Sequence, residues 1–105
     1  MSPDPKVLER RLCALAAPDI HRILSGNRIG IEKEGLRVSP QGRIAATPHP
    51  APLGSALTHP HVTTDFSEAL LELVTPPHAT SWETLNFLCD LHRFVYERIG
   101  DEMLW

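Results

Sequence analysis

Residues 63–77 read Thr-Thr-Asp-Phe-Ser-Glu-Ala-Leu-Leu-Glu-Leu-Val-Thr-Pro-Pro, and the secondary structure of this stretch decides the fold. Its apolar residues fit a helical period, and Asp65 with Glu68 would then form a capping box. The β-branched residues 62–64 favour a strand instead, and the two prolines at 76–77 forbid any further helix. Periodicity alone therefore leaves both the helix and the strand open.

A second apolar stretch, residues 29–38, is predicted to be a β-strand. Its apolar side chains are bounded by turn signals, and two glycines within it permit a bulge or the close approach of another backbone. Pro40-Gln-Gly42 is such a turn signal. Residues 43–46 are therefore expected to return as the hairpin partner of this strand.

Three further segments are predicted to be helices. Residues 4–16 carry apolar positions at helical spacing, and a short second helix follows Pro18. Residues 80–99 give the clearest helical pattern, with a capping box formed by Thr80 and Glu83. The apolar stripe of this last helix comprises Leu85, Leu88, Leu91, His92, Val95 and Ile99.

Four carboxylates interrupt the two strand-like stretches: Glu32, Glu34, Asp65 and Glu72. Alternate residues of a strand share a face, so Glu32 and Glu34 would project side by side. At about 7 Å they would repel by roughly 2 kcal/mol at an effective dielectric constant near 20, and a bound Mg²⁺ or Ca²⁺ would remove that cost. Asp65 and Glu72 are seven positions apart, so a shared site needs the helix, or a bulge near residues 67–69. A solvated face explains the same residues, and composition alone favours it.

The composition excludes several classes of protein. A length of 105 residues allows at most one domain, with 42% apolar and 22% charged residues. The net charge of -3 gives no basic surface for nucleic acid. The sequence contains no apolar run long enough for a membrane span and no signal peptide, so a cytoplasmic location is expected.

Cysteine and histidine offer weaker signals than the carboxylates. Cys13 and Cys89 are predicted to be buried thiols in a cytosolic chain. His49, His59 and His61 lie in one Pro-rich region, yet neither a nearby cysteine nor a His-Glu-x-x-His helix supports zinc. Phosphate-binding glycine loops and a serine nucleophile elbow are missing too, so carboxylate-held metal would have to carry any nucleotide phosphates.

Five runs of the sequence are familiar in their order and spacing. They are Gly30-Ile-Glu-Lys-Glu-Gly-Leu-Arg-Val38, Leu53-Gly-Ser-Ala-Leu-Thr-His59, residues 63–76 of the stretch quoted first, Leu91-His-Arg93, and Ile99-Gly-Asp-Glu-Met-Leu-Trp105. Together they resemble the proteobacterial type of glutamate–cysteine ligase, or γ-glutamylcysteine synthetase. The likeness extends from about residue 28 to residue 105, and Ser67 is a mild departure within it.

The resemblance implies a fold and an activity. The family joins L-glutamate and L-cysteine through γ-glutamyl phosphate, using ATP as co-substrate and Mg²⁺ as cofactor, in the first step of glutathione synthesis. Its catalytic core is an α+β, glutamine synthetase-like antiparallel sheet with flanking helices, which favours the strand for the segment around Glu72. By motif match, Glu32, Glu34, Asp65 and Glu72 take Mg²⁺-coordinating positions and Phe66 lines the cysteine pocket. No catalytic residue is transferred.

The family's enzyme is several times longer than 105 residues. We therefore expect residues 1–105 to be an incomplete N-terminal portion of the catalytic domain, inactive alone, with most ATP- and substrate-binding residues beyond Trp105. Two alternatives stay open: another ATP-dependent carboxylate–amine ligase, and a non-enzymatic acidic module that binds cations. The sequence predicts no oligomeric state.

Overall fold

A computed structural model of the protein describes residues 4–105. The helices are α1 (Pro5–Leu15), α2 (Ile20–Leu24) and α3 (Ser81–Tyr96), with a short 3-10 turn at Ala51–Leu53. The strands are β1 (Glu32–Val38), β2 (Val62–Asp65), β3 (Ser67–Val74) and β4 (Met103–Leu104). They form one antiparallel sheet in the order β2-β3-β1-β4. The predicted α+β fold, an antiparallel sheet with flanking helices, is confirmed.

The decisive stretch forms strands and not a helix. Along β3, buried Ala69, Leu71 and Leu73 alternate with half-buried residues, which is the two-residue period of a strand with unequal faces. The capping box considered for a helical reading is consequently not formed. The expected irregularity near residues 67–69 is present. The pair Thr64–Leu71 is followed by the pair Asp65–Ser67, so residues 68–70 of β3 have no partner on β2.

The expected return of residues 43–46 beside β1 is confirmed, but as a short hairpin and not as a full strand. The main partner of β1 is β3, and the returning segment contributes a single bridge between Val38 and Ile44. The Ala45 N–H still donates to the Arg37 carbonyl. Prolines at 48, 50 and 52 then lack the N–H that a ladder needs, so the chain leaves the sheet.

The core lies between one face of the sheet and α3. Leu71 and Leu73 of β3 pack with Leu88 and Val95 of the helix, all of them buried. The predicted capping box of Thr80 and Glu83 is present. The helix ends at Tyr96, three residues before the predicted end, and Leu85 of the predicted stripe is exposed.

The first two helices form as predicted but bury no side chain among residues 4–105. Leu8, Leu12 and Leu15 are each about half exposed. Cys13 and Cys89 are free and exposed, so the prediction of buried thiols is wrong. Cys13 lies on α1, which has no buried residue in the described part of the chain, and Cys89 lies on α3 outside the buried residues of that helix. None of the helices described is both long and apolar enough to cross a membrane.

Candidate metal centre

The face of the sheet opposite α3 carries the predicted carboxylates. Glu34 of β1 pairs directly with Glu72 of β3, and Glu72 pairs on its other side with Thr63 of β2. Paired residues project to the same face, so both carboxylates point away from the core. Asp65 lies two residues beyond Thr63 along β2 and joins the same face.

Three of the four predicted ligands come together. Carboxylate oxygens of Glu34, Asp65 and Glu72 all lie within 4.8 Å of one another. Asp65 and Glu72 are partly buried, and Glu34 is exposed. Oxygens that share one Mg²⁺ at about 2.1 Å stand at most roughly 4.2 Å apart, so a small side-chain movement would close this set around a cation.

The electrostatics of the cluster are unfavourable without a cation. Burial is the main cause that raises the pKa of Glu72, and the charges of Glu32, Asp65 and Glu34 raise it further. Desolvation and like charge both disfavour the ionised form of a carboxylate. The arrangement therefore holds negative charge that a hard, oxygen-seeking cation would neutralise.

The remaining two predicted site residues lie close to this group. Glu32 pairs with Val74 and lies on the same face, two residues before Glu34 along β1. It is not part of the group of three. Phe66 occupies the tip between β2 and β3, with its side chain 96% exposed and a backbone φ of 44°. Its N–H donates to the Asp65 carboxylate at 2.9 Å. An exposed phenyl ring thus stands next to the carboxylates.

Sequence reasoning missed a buried arginine behind the site. The side chain of Arg37 is fully buried, and its Nη1 donates to Glu102 at 2.6 Å and to the Thr47 hydroxyl at 2.8 Å. Its Nη2 donates to the carbonyls of Thr47, Pro48 and Glu68. Only its Nε lacks a partner within residues 4–105.

The histidines do not assemble a zinc site. Nδ1 of His59 accepts the backbone N–H groups of His61 and Val62, and Nδ1 of His61 contacts the Val74 carbonyl at 3.0 Å. Burial, followed by the charges of His61 and His49, lowers the pKa of His59. Across residues 4–105, the one group of three or more metal-ligating side chains is the carboxylate group.

Comparison with known proteins supports the family resemblance that the sequence motifs indicate. The family model described as glutamate-cysteine ligase matches residues 12–105. The chain belongs to the glutamate–cysteine ligase family. The resemblance seen in the sequence from about residue 28 is thereby confirmed, and it extends into α1.

Curated relatives of this family are similar over almost the whole chain. The glutamate–cysteine ligase of Alcanivorax borkumensis is 56% identical over 100 residues, which are 95% of this chain and 19% of that protein. That of Pseudomonas putida KT2440 is 50% identical over 102 residues, again 95% and 19%. The chain spans about a fifth of the length of these relatives.

Two solved structures share the fold. A crystal structure of the Francisella tularensis glutamate–cysteine ligase in complex with AMP superposes with a TM-score of 0.73 at 41% identity, covering 75% of this chain and 16% of that one. A bifunctional glutathione synthetase from Pasteurella multocida gives 0.74 at 32% identity, covering 99% and 13%. The fold of this chain is therefore shared with a known glutamate–cysteine ligase and with a bifunctional glutathione synthetase.

Proposed function

We propose that this chain is the N-terminal portion of a catalytic domain that joins the γ-carboxylate of L-glutamate to the amine of L-cysteine at the expense of ATP. The product would be γ-glutamylcysteine, formed through γ-glutamyl phosphate. The observation that carries the proposal is the group of three carboxylates within 4.8 Å, on the open face of a sheet whose family is glutamate–cysteine ligase. An AMP complex of the Francisella tularensis relative supports a nucleotide as co-substrate.

The proposed cofactor is Mg²⁺, held by Glu34, Asp65 and Glu72, with Glu32 as a further ligand. When bound, Mg²⁺ would neutralise charge on the phosphates of ATP and align them for transfer. The fit rests on the chemistry of the donors: all four are carboxylates, the hard oxygen ligands that Mg²⁺ takes, and no nitrogen or sulfur ligand joins them.

The chain's own residues have three tasks in this proposal. The ladder between β1 and β3 fixes Glu34 and Glu72 opposite each other, so the distance between the two ligands is set by the sheet. The tip holds Asp65 beside them. Phe66, exposed next to Asp65, is proposed to line the pocket for the cysteine substrate. The acidic groups do not act as the nucleophile in this proposal, because the cysteine amine attacks the acyl phosphate.

The three strands that carry the carboxylates contain two basic side chains, Lys33 and Arg37, and both lie on the face opposite the carboxylates. There the Nζ of Lys33 lies 2.8 Å from Nε2 of His92. Neutralisation of phosphate in transfer reactions uses basic groups together with metal. The 105-residue chain alone is therefore expected to bind Mg²⁺ weakly and to release no ADP when glutamate, cysteine and ATP are supplied.

Cation binding tests the metal centre directly. Mn²⁺ is added to the chain and its free concentration is followed by electron paramagnetic resonance. Glu72→Gln and Asp65→Asn should each weaken binding at least about tenfold. Glu68→Gln is the matched control, because Glu68 lies on the same strand, is exposed and stands outside the group. Equal affinity in all four proteins would contradict the metal centre.

Activity is tested in a chimera. The matching segment of the Alcanivorax borkumensis ligase is replaced by residues 4–105 of this chain, and ADP release is measured. The chimera should require both glutamate and cysteine, and Glu72→Gln within it should reduce kcat/KM at least about a hundredfold, since one lost ligand removes several kcal/mol of charge stabilisation. A folded chimera with full activity despite Glu72→Gln would refute the assignment.

A further inference from the structure

The hydrogen bonds around the site divide the three proposed ligands into two kinds. Glu34 and Glu72 lie inside a regular antiparallel ladder, where the sheet itself determines their positions. Asp65 lies past the register shift, where its strand pairs with Ser67 only. Its position therefore depends on whatever holds the tip formed by residues 65–68.

The ladder between β1 and β3 ends before this tip. Leu36 paired with Leu70 is the last residue pair of that ladder, so β1 gives no ladder support to residues 67–69. The next residue of β1 is Arg37, and its Nη2 donates to the Glu68 carbonyl at 3.1 Å. The arginine side chain thus continues the contact between the two strands one step beyond the last ladder pair.

Arg37 is itself fixed from several directions. Its guanidinium is fully buried and pairs with Glu102, a residue 65 positions away that follows α3. Thr47 donates its hydroxyl to the second oxygen of Glu102 and accepts from Nη1 of Arg37. A buried guanidinium with this many acceptors favours one orientation, because another would leave its Nη donors and the partly buried carboxylate of Glu102 unpaired.

We infer that Arg37 is a positioning residue for the acidic site: through the Glu68 carbonyl it fixes the tip that carries Asp65, and Glu102 and Thr47 hold it in place for that task. The inference rests on the proposed function, because the tip matters to activity only if Asp65 binds a cation. Arg37 touches none of the three carboxylates in hydrogen-bond range and contributes to the site through backbone geometry.

Mn²⁺ binding by the whole chain tests the inference. Arg37→Lys keeps the charge but loses the fork that reaches several acceptors at once, so the dissociation constant should rise about tenfold. Arg43→Lys is the matched control, since Arg43 is exposed and close in sequence. In an Asp65→Asn background, Arg37→Lys should have no further effect, because the two changes act through one ligand. Additive effects would overturn the inference.

Hydrogen–deuterium exchange separates positioning from general stability. Arg37→Lys should speed exchange in residues 62–69 by a larger factor than in residues 84–95 of α3, whose rates report the loss of global stability. An equal increase in both segments would show a merely structural role and overturn the inference. If wild-type chain binds no Mn²⁺, the metal centre of the proposed function fails, and the exchange pattern alone decides the role of Arg37.

A second variant covers the case in which Arg37→Lys does not fold. Glu102→Gln keeps the shape of the partner and removes its charge, which loosens the guanidinium without removing it. The dissociation constant for Mn²⁺ should rise several-fold, by less than for a lost ligand. An unchanged constant in folded Glu102→Gln would overturn the inference.

Discussion

Glu72 is surrounded by acidic neighbours, and its pKa is raised first by burial and then by the charges of Glu32, Asp65 and Glu34. The folded state therefore binds a proton at this group more tightly than the unfolded state. Stability from this source is fully present below the ordinary pKa of 4.5 and is lost as the pH rises through the raised value. At neutral pH the ionised Glu72 therefore lowers the stability of the folded chain.

Above pH 4.5, Glu72→Gln should change the slope of the free energy of unfolding against pH. Urea unfolding of the wild-type chain, followed by circular dichroism, should give a free energy of unfolding that Glu72 lowers as the pH rises. Glu72→Gln should remove this pH-dependent loss, and added Mg²⁺ should reverse it. Glu68→Gln, on the same strand but exposed, should keep the wild-type slope. If Glu72→Gln and wild type run parallel across this range, the carboxylate cluster does not carry the repulsion inferred here.

Glu102 has the opposite behaviour. Burial alone would raise its pKa, but hydrogen bonds from Thr47 and Arg37, and the charge of Arg37, outweigh burial and lower it. Its contribution to stability is present above the ordinary pKa of 4.5 and is lost as the pH falls through the lowered value. Glu102 and Glu72 thus act on stability from opposite directions.

Glu102→Gln should destabilise the chain by about 1.5–3 kcal/mol at neutral pH, the range for hydrogen bonds to charged groups. The difference from wild type should shrink as the pH falls below 4.5. Glu97→Gln is the control, because the pair of Glu97 with Arg98 is largely exposed and such pairs contribute little. A difference that stays constant down to strongly acidic pH would show that the Glu102 charge is not involved.

The positions of the carboxylates were easier to predict from the sequence than the buried contacts of Arg37 behind them. Glu32 and Glu34 could be expected on one face because strand alternation is local, and the family motif added Asp65 and Glu72 to them. Arg37 reads in sequence as one more polar residue of a strand. Its burial depends on Glu102, 65 positions away, and no local pattern reports a partner at that distance.

At the scale of elements, α3 was the most predictable part of the fold. Its capping box is local, and Thr80 and Glu83 satisfy each other's backbone N–H groups within one turn. Periodicity left β2 and β3 ambiguous because their apolar spacing suits two periods, and in the structure the pairing of β3 with β1 and β2 fixes the strand. The segment 43–46 returns beside β1 for one bridge only, and the prolines that follow it prevent a longer ladder.

The cap gives a prediction at this scale. Thr80→Ala should lower the free energy of unfolding by about 1 kcal/mol, since it leaves a helix N–H without an acceptor. Ser81→Ala, at the first position inside the helix, should change stability by less than about 0.5 kcal/mol. Urea unfolding curves of both variants check the pair. Similar losses in the two variants would mean that the hydroxyl of Thr80 is not a cap.

The whole molecule is less compact than its length allows. Its radius of gyration is 19.5 Å and its longest extent is 53 Å, whereas a compact domain of this size has a radius near 13 Å. The difference follows from α1 and α2, whose apolar residues stay exposed. Stability should therefore reside in the sheet and α3, around Leu71 and Val95, which are both fully buried.

A matched pair of substitutions tests this division. Leu71→Ala should cost about 2–5 kcal/mol, because it removes a side chain with 0% exposure from the core. Leu12→Ala, at 56% exposure on α1, should cost less than about 0.5 kcal/mol. Chemical unfolding of each variant gives its loss in free energy of unfolding, and the two losses are comparable because both variants remove the same side-chain atoms. A large loss from Leu12→Ala would show that α1 packs against the rest of the molecule in solution, and the core would then have to be redrawn to include its apolar stripe.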